Sequence, residues 1–216
     1  MHPDFWHARW ANNEIGFHLD EVQPLLLEHF GRLALVAGQR VLVPLCGKTR
    51  DIGWLLGQGV EVLGVELSRL AVVQLFADLG LDPVIEPVPD LAGAGECFRA
   101  PGLAVFVGDF FALRREQLGP VDAVYDRAAL VALPPEMRSR YAEHLAALSE
   151  RAPQLLITLA YDPALHAGPP FSLGAAEVGG LYDAAYRIDC LQSLSMPDGL
   201  KGRFPATEHV WLLQRR

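Results

Sequence analysis

Three acids and one arginine stand where apolar runs stop, and these are the side chains best placed to do chemistry. Glu66 closes "VLGVE", Asp109 follows "AVFVG", and Asp126 and Arg127 end "AVYDR". A carboxylate about twenty residues beyond the turn that ends a first strand is placed to accept hydrogen bonds from ribose hydroxyls. Glu66 has that spacing from "PLCGKT", against the plainer reading of a solvated strand-end acid. Asp109 is followed by Phe110 and Phe111. That sequence offers a polar edge beside a flat apolar slot, as an adenine ring requires. Phe110 is expected to face the ligand and Phe111 to be core. Asp126 and Arg127 adjoin an apolar stretch, residues 128–133, that would be costly to expose. Charges so placed either pair with each other or serve a ligand.

The turn itself decides which ligand. A triphosphate loop ending in "GKT" needs a glycine five residues before Gly47, and that position is Leu42, inside the strand. A dinucleotide turn needs three glycines for close backbone approach to a pyrophosphate. Here Gly47 stands alone among bulky Lys48 and Arg50. What survives is a crevice for a ribose without phosphates. Ligand chemistry then proposes S-adenosylmethionine, a nucleoside that cells use as a group donor.

The elements that must position these residues follow from periodicity. Residues 41–45 are continuously apolar, as in a strand buried on both faces. Residues 49–58 have helical spacing, with Asp51 and Lys48 expected to form a surface charge pair at the helix start. Residues 61–66 are the next strand. Ser68 is a plausible N-cap for a helix over 69–79, which ends at Gly80. Strand–helix–strand–helix implies parallel strands with right-handed crossovers. Residues 81–95 read as loop, and Pro101–Gly102 as the turn of a hairpin. Further strands are predicted over 121–125, 155–159, 187–191 and 209–213, and helices from 134–135 to about 148 and over 175–182. The stretch "SMPDGLKGRFPATE" reads as a polar loop joining antiparallel strands. Ahead of the first strand, Asp4 is expected to cap a short helix bearing Phe5, Trp6 and Trp10. A second helical segment is predicted over 22–30. The expectation is one α/β domain over 1–216: a cover and helix (1–36), then a Rossmann-like core (37–216). Its sheet has about seven strands, mostly parallel with an antiparallel last strand, and helices on both faces.

Composition removes other classes. The chain has 216 residues, is 51% hydrophobic and carries a formal net charge of -8. It has no basic stripe of the kind a nucleic-acid partner requires. Three scattered cysteines and seven histidines show no metal-ligand spacing, so no metal is expected, and Cys46 reads as a small packing residue. The start lacks a signal-peptide pattern, and no apolar run is long enough to span a membrane. A cytoplasmic monomer without a membrane partner is the expectation.

The motifs "FWHARWANNEIGFH", "VLVPLCGKTRDIGWL", "VLGVELS", "GDFF", "YDRAALVALPPEMR" and "GPPF" together resemble the thiopurine S-methyltransferase family, its bacterial members in particular. The resemblance covers nearly the whole chain. It implies the seven-stranded methyltransferase fold with an N-terminal cover over the donor. It also implies that Trp10, Leu45, Glu66 and Arg127 contact S-adenosylmethionine, with Asp109 and Phe110 on the adenine side. Trp6 and the stretch to Phe17 match the cover, and Phe17 matches a position facing both donor and acceptor. The sequence departs from the family at 193–208, which is glycine-rich where an acidic, arginine-containing stretch is expected. The implied activity is methyl transfer to a soft nucleophile. The sulfur of an aromatic or heterocyclic thiol, a thiopurine among them, is the first choice, with selenium and tellurium species next. A sulfonium is already activated, so alignment matters more than acid–base chemistry and no general base is expected. Arg127 would favour an anionic acceptor by charge. The alternatives are a donor-binding sensor or scaffold without turnover, and a nicotinamide-dependent oxidoreductase, which the missing glycines disfavour.

Overall fold

Val41, Leu42 and Val43 are all buried in the computed structural model, which describes residues 2–200 and 202–216. They belong to β1 (Arg40–Pro44). The chain divides into two compact units, Met1–Asp122 and Ala123–Arg216. In the first, β1 is followed by α3 (Asp51–Gly57), β2 (Glu61–Glu66) and α4 (Arg69–Leu79). The capping prediction holds: the Ser68 hydroxyl accepts from the Ala71 N–H, and Gly80 ends α4 in the left-handed conformation. Strands β4 (Glu96–Ala100) and β5 (Leu103–Val107) form the hairpin signalled by Pro101–Gly102, with Gly102 at φ 75°. With β3 over Val84–Pro87, the strand order of this unit is β3-β4-β5-β2-β1, with β2 parallel to both β1 and β5. A short α5 (Arg115–Leu118) follows.

Two expectations for this unit are corrected. Residues 81–95 are not all loop, because β3 (Val84–Pro87) pairs antiparallel with β4. Its prolines hid it: Pro lacks an N–H and is tolerated in a sheet only at an edge, which is where β3 lies. Helix α1 (Pro3–Ala11) is capped by His2, whose Nδ1 accepts from the Asp4 N–H at 3.3 Å. Asp4 itself sits in the first turn, where the helix dipole favours a negative charge. The second helical segment is α2 (Pro24–His29), continued by a 3₁₀ turn over Phe30–Leu33.

The second unit contains β6 (Ala123–Arg127), α6 (Pro135–Leu148), β7 (Gln154–Ala160), α7 (Ala175–Tyr182), β8 (Tyr186–Leu200) and β9 (Phe204–Arg215). Its order is β6-β7-β9-β8, with β6 and β7 parallel and β9 antiparallel to both its neighbours. The late strands are far longer than predicted. The stretch read as a loop is the far end of the β8–β9 ribbon, pairing Leu194 with Glu208 and Met196 with Ala206. Lys201, within that stretch, lies outside the described residues. Tyr161, Leu200 and Ala206 form a small core there, with Leu159, Met196 and Phe204 packed on it. The widely spaced apolar residues left no run for a sequence reading to detect. Nine strands are present among the described residues, against about seven expected. Antiparallel pairing occurs at β3–β4 and β4–β5 as well as in the last strands. No helix among the described residues is long and apolar enough to cross a membrane.

The apolar stretch after β6 is buried as expected: Ala129 and Leu130 are fully inside, and Val131, Ala132 and Leu133 nearly so. Arg138, 2% exposed, secures it. Its Nε donates to the Leu133 carbonyl at 3.0 Å and its Nη1 to the Ser172 carbonyl at 3.4 Å and the Glu177 carboxylate, with the guanidinium 5.7 Å from the Phe171 ring centre. Arg138→Ala strips a charged donor from the buried Leu133 carbonyl and the half-buried Ser172 carbonyl. It should lower the unfolding free energy by about 2–3 kcal/mol in a denaturant titration. Arg138→Lys should recover little of this, because an ammonium cannot reproduce the planar fork.

Candidate active site

Leu45 and Gly47, just past β1, both have positive φ, at 47° and 53°. The carboxylate of Glu66, 6% exposed at the end of β2, locks this turn. Oε2 accepts from the Gly47 N–H and Oε1 from the Ser68 N–H, each at 2.8 Å. One side chain therefore ties the loop after β1 to the loop after β2. Burial raises the Glu66 pKa, while the N–H groups of Ser68, Gly47 and Leu67 pull it down. A carboxylate oxygen has two lone pairs. Each oxygen of Glu66 can thus accept a further hydrogen bond, which suits the two hydroxyls of a ribose. Cys46 lies in the same turn, buried, its thiol pKa pushed well up chiefly by desolvation.

The N-terminal aromatics close over this turn. Trp10 is 4% exposed. A Cβ at Gly47 would stand 2.9 Å from Trp10 Cζ2, so the indole lies directly on the glycine backbone. Phe17 meets Trp10 edge-on at 5.6 Å and Trp6 at 5.8 Å between ring centres, and Trp6 meets Phe5 at 5.1 Å. Behind the cover, the Gln23 N–H donates to Asp51 Oδ1 at 2.8 Å. Asp51 is 1% exposed, so the predicted surface pair with Lys48 is wrong; Lys48 meets Asp78 instead, at 3.7 Å. Asp51 anchors the segment after the cover to the start of α3. Nothing in its sequence neighbourhood announces a partner 28 residues away.

At the end of β5, the Gly108 N–H donates to the Glu66 carbonyl at 2.9 Å, which brings this loop beside the other two. The Asp109 N–H donates to the Ala92 carbonyl, and its carboxylate accepts from the Phe111 N–H at 2.9 Å. Of the two phenylalanines, Phe110 is 3% exposed and Phe111 is half-buried, so Phe111 is not the core residue it was expected to be. The 3₁₀ turn that Asp109 caps swings the first ring inward. The first unit therefore gathers Trp6, Trp10, Phe17, Leu45, Glu66, Asp109 and Phe110 around the carboxyl ends of β1, β2 and β5.

Arg127 belongs to the second unit, half-buried at the end of β6. Asp126 does not pair with it. The Asp126 carboxylate, fully buried, accepts from the Leu130 N–H at 3.1 Å and the Tyr141 hydroxyl at 2.8 Å. Burial raises its pKa to about 6 despite these donors. Tyr141 escaped the sequence reading, because a tyrosine on the buried stripe of a helix reads as core.

Among solved structures, the chain resembles the Burkholderia thailandensis 1,6-didemethyltoxoflavin-N1-methyltransferase, a structure with bound S-adenosylhomocysteine. The TM-score is 0.64 at 15% identity, covering 98% of this chain and 87% of that one. The [4+2]-cyclase SpnF is also similar, with a TM-score of 0.61 at 10% identity, 88% of this chain and 80% of that one. The fold is that of the S-adenosylmethionine-dependent methyltransferases, a scaffold that also carries other chemistry. Sequence narrows this further: the profile of the family "Thiopurine S-methyltransferase (TPMT)" matches residues 1–216. The thiopurine S-methyltransferase of Xanthobacter autotrophicus is 56% identical over 216 residues, all of both chains. That of Pseudomonas aeruginosa strain UCBPP-PA14 is 54% identical over 193 residues, 89% of this chain and 87% of its own. The chain belongs to the thiopurine S-methyltransferase family and is a methyltransferase.

The contact between Trp10 and Gly47 gives a direct test. Gly47→Ala introduces a Cβ at a positive φ and drives it into the indole. It should lower stability by about 1–2 kcal/mol from the backbone conformation alone. Gly57→Ala, where a Cβ meets nothing within 4 Å, should leave the unfolding midpoint unchanged or higher.

Proposed function

We propose that the first unit binds S-adenosylmethionine across the carboxyl ends of β1, β2 and β5, and that the enzyme moves its methyl group to a soft nucleophile. The acceptor favoured is the thiolate of an aromatic or heterocyclic thiol. The observation that carries this reading is Glu66: a buried carboxylate with lone pairs to spare, beside a turn that lacks a glycine-rich phosphate cradle.

Each residue then has a role in keeping with its surroundings. Glu66 accepts from the two ribose hydroxyls. Trp10 covers the turn and, as an indole, attracts the cationic sulfonium region. Leu45 lines the donor side with its backbone held in the left-handed region. Asp109 and Phe110 stand at the adenine side, and Trp6 and Phe17 exclude water. Arg127 draws an anionic acceptor by charge. In the transfer itself, the thiolate lone pair forms the new sulfur–carbon bond as the sulfonium–carbon bond breaks. Adenosylhomocysteine leaves with that electron pair, and no proton moves. An anion and a cation annihilate along this path, so water-excluding aromatic walls favour the transition state over the separated charges.

Calorimetry should detect both S-adenosylmethionine and S-adenosylhomocysteine. Absence of binding by either would overturn the reading. Glu66→Gln should weaken the donor by about 1–3 kcal/mol, the worth of hydrogen bonds to a charged acceptor. The wild type should also lose donor affinity as pH falls through the Glu66 pKa, which burial sets above the usual carboxylate range, while the Gln variant stays flat. Arg127→Ala should reduce turnover on anionic thiols more than it reduces donor affinity. Equal losses would restrict Arg127 to the donor. A panel of aromatic thiols, selenite and tellurite with labelled donor ranks the acceptors, and tight donor binding with no transfer to any of them would favour a sensor.

A further inference from the structure

Asp126 is a fully buried acid beside the one arginine assigned to the acceptor, yet it makes no ion pair with it. Successive residues of a strand point to opposite faces. Asp126 therefore grips the end of β6 from one side while Arg127 projects from the other. The next residue, Ala128, has φ 60°, a backbone that residues with a Cβ rarely adopt. The chain thus makes a strained turn immediately after Arg127, and the Asp126 carboxylate spans it. One oxygen accepts from the Leu130 N–H on the far side of the turn, where Ala129 N–H also engages the carboxylate. The other accepts from the Tyr141 hydroxyl. Tyr141 is fully buried on the same stripe of α6 as Arg138, Ala142, Leu145 and Leu148. Arg138 in turn holds the end of the same apolar stretch at Leu133.

We propose that Tyr141 and Asp126 are positioning residues that fix the turn carrying Arg127, an inference that rests on the reading of Arg127 as the acceptor-side cation. The hold depends on the carboxylate being ionised, because a carboxylate oxygen accepts more strongly than a carboxylic acid. The groups facing Asp126 are the Leu130 and Ala129 N–H of the turn, Tyr141 from α6 and Tyr182 from α7, whose buried hydroxyl lies close enough to sense its charge. Burial lifts the Asp126 pKa to about 6, and the Tyr141 hydroxyl restrains the rise. Protonation in mildly acidic solution would loosen the turn and let Arg127 drift from the acceptor.

The test uses the full chain, labelled S-adenosylmethionine and an aromatic thiol that stays ionised throughout the pH range. Tyr141→Phe keeps the ring and removes the hydroxyl. It should cut kcat about ten-fold or more, as small misplacements of an aligning group do. Donor affinity should stay near the wild type and the fold should persist, with a lower unfolding midpoint because a buried carboxylate loses a donor, while the acid limb of the kcat profile moves up by about one pH unit. Asp126→Asn should fold and lose that limb altogether. If Tyr141→Phe keeps the wild-type kcat and acid limb while Arg127→Ala loses turnover, the positioning role is wrong and the assignment of Arg127 stands. If Tyr141→Phe loses donor affinity and turnover together with no displacement of the limb, its role is only structural and the inference fails. If Arg127→Ala turns over normally, the functional reading of Arg127 fails and takes this inference with it.

Discussion

The first unit of this protein depends on one carboxylate satisfying backbone. Glu66 is buried without a cation, an arrangement that would be prohibitively costly if its oxygens were idle. Gly47 and Ser68 supply charge-assisted hydrogen bonds from the loops after two neighbouring parallel strands, so the acid is a structural clamp. The positive φ at Leu45 and Gly47 and the seat of Trp10 on the glycine backbone both follow from the shape this clamp imposes. The second unit repeats the device: Asp126 at the end of β6 holds the strained turn at Ala128 from beneath. In both places an acid at a strand end accepts backbone N–H groups from the loop that follows.

The sequence revealed most where a residue type has few physical options. A continuous apolar run flanked by turn residues could be little other than a strand buried on both faces, and β1 and β2 are that. Ser68 and Gly80 bracket α4 because a hydroxyl and a missing Cβ each meet a need of a helix end. Glu66 was legible because its spacing from the turn is set by the length of a strand–helix–strand unit. The regions that stayed hidden share a cause. β3 and the distal β8–β9 ribbon carry Pro and Gly, which usually punctuate chains, and an edge strand or twisted ribbon tolerates them without showing an apolar run. The order of burial of Phe110 and Phe111 turned on which way a single 3₁₀ turn faces. The partners of Asp51 and Asp126, Gln23 and Tyr141, are distant in sequence and ordinary in type, so only the folded chain identifies them.

Fold and family carry different weights here. A [4+2]-cyclase shares the fold at 10% identity, so the sheet alone does not specify a reaction. Agreement across the whole chain with one methyltransferase family restricts the chemistry to methyl transfer. What the acceptor must look like depends on side chains rather than on the sheet.

The seat of Trp10 on Gly47 also dictates an order of assembly. The N-terminal helix leaves the ribosome about three dozen residues before the surface it docks on, the turn at 45–47. Until then its aromatic residues have no partner outside their own segment. The helix is thus made well before it can settle, and a burden on its docking would fall on the step that seats Trp10 on Gly47.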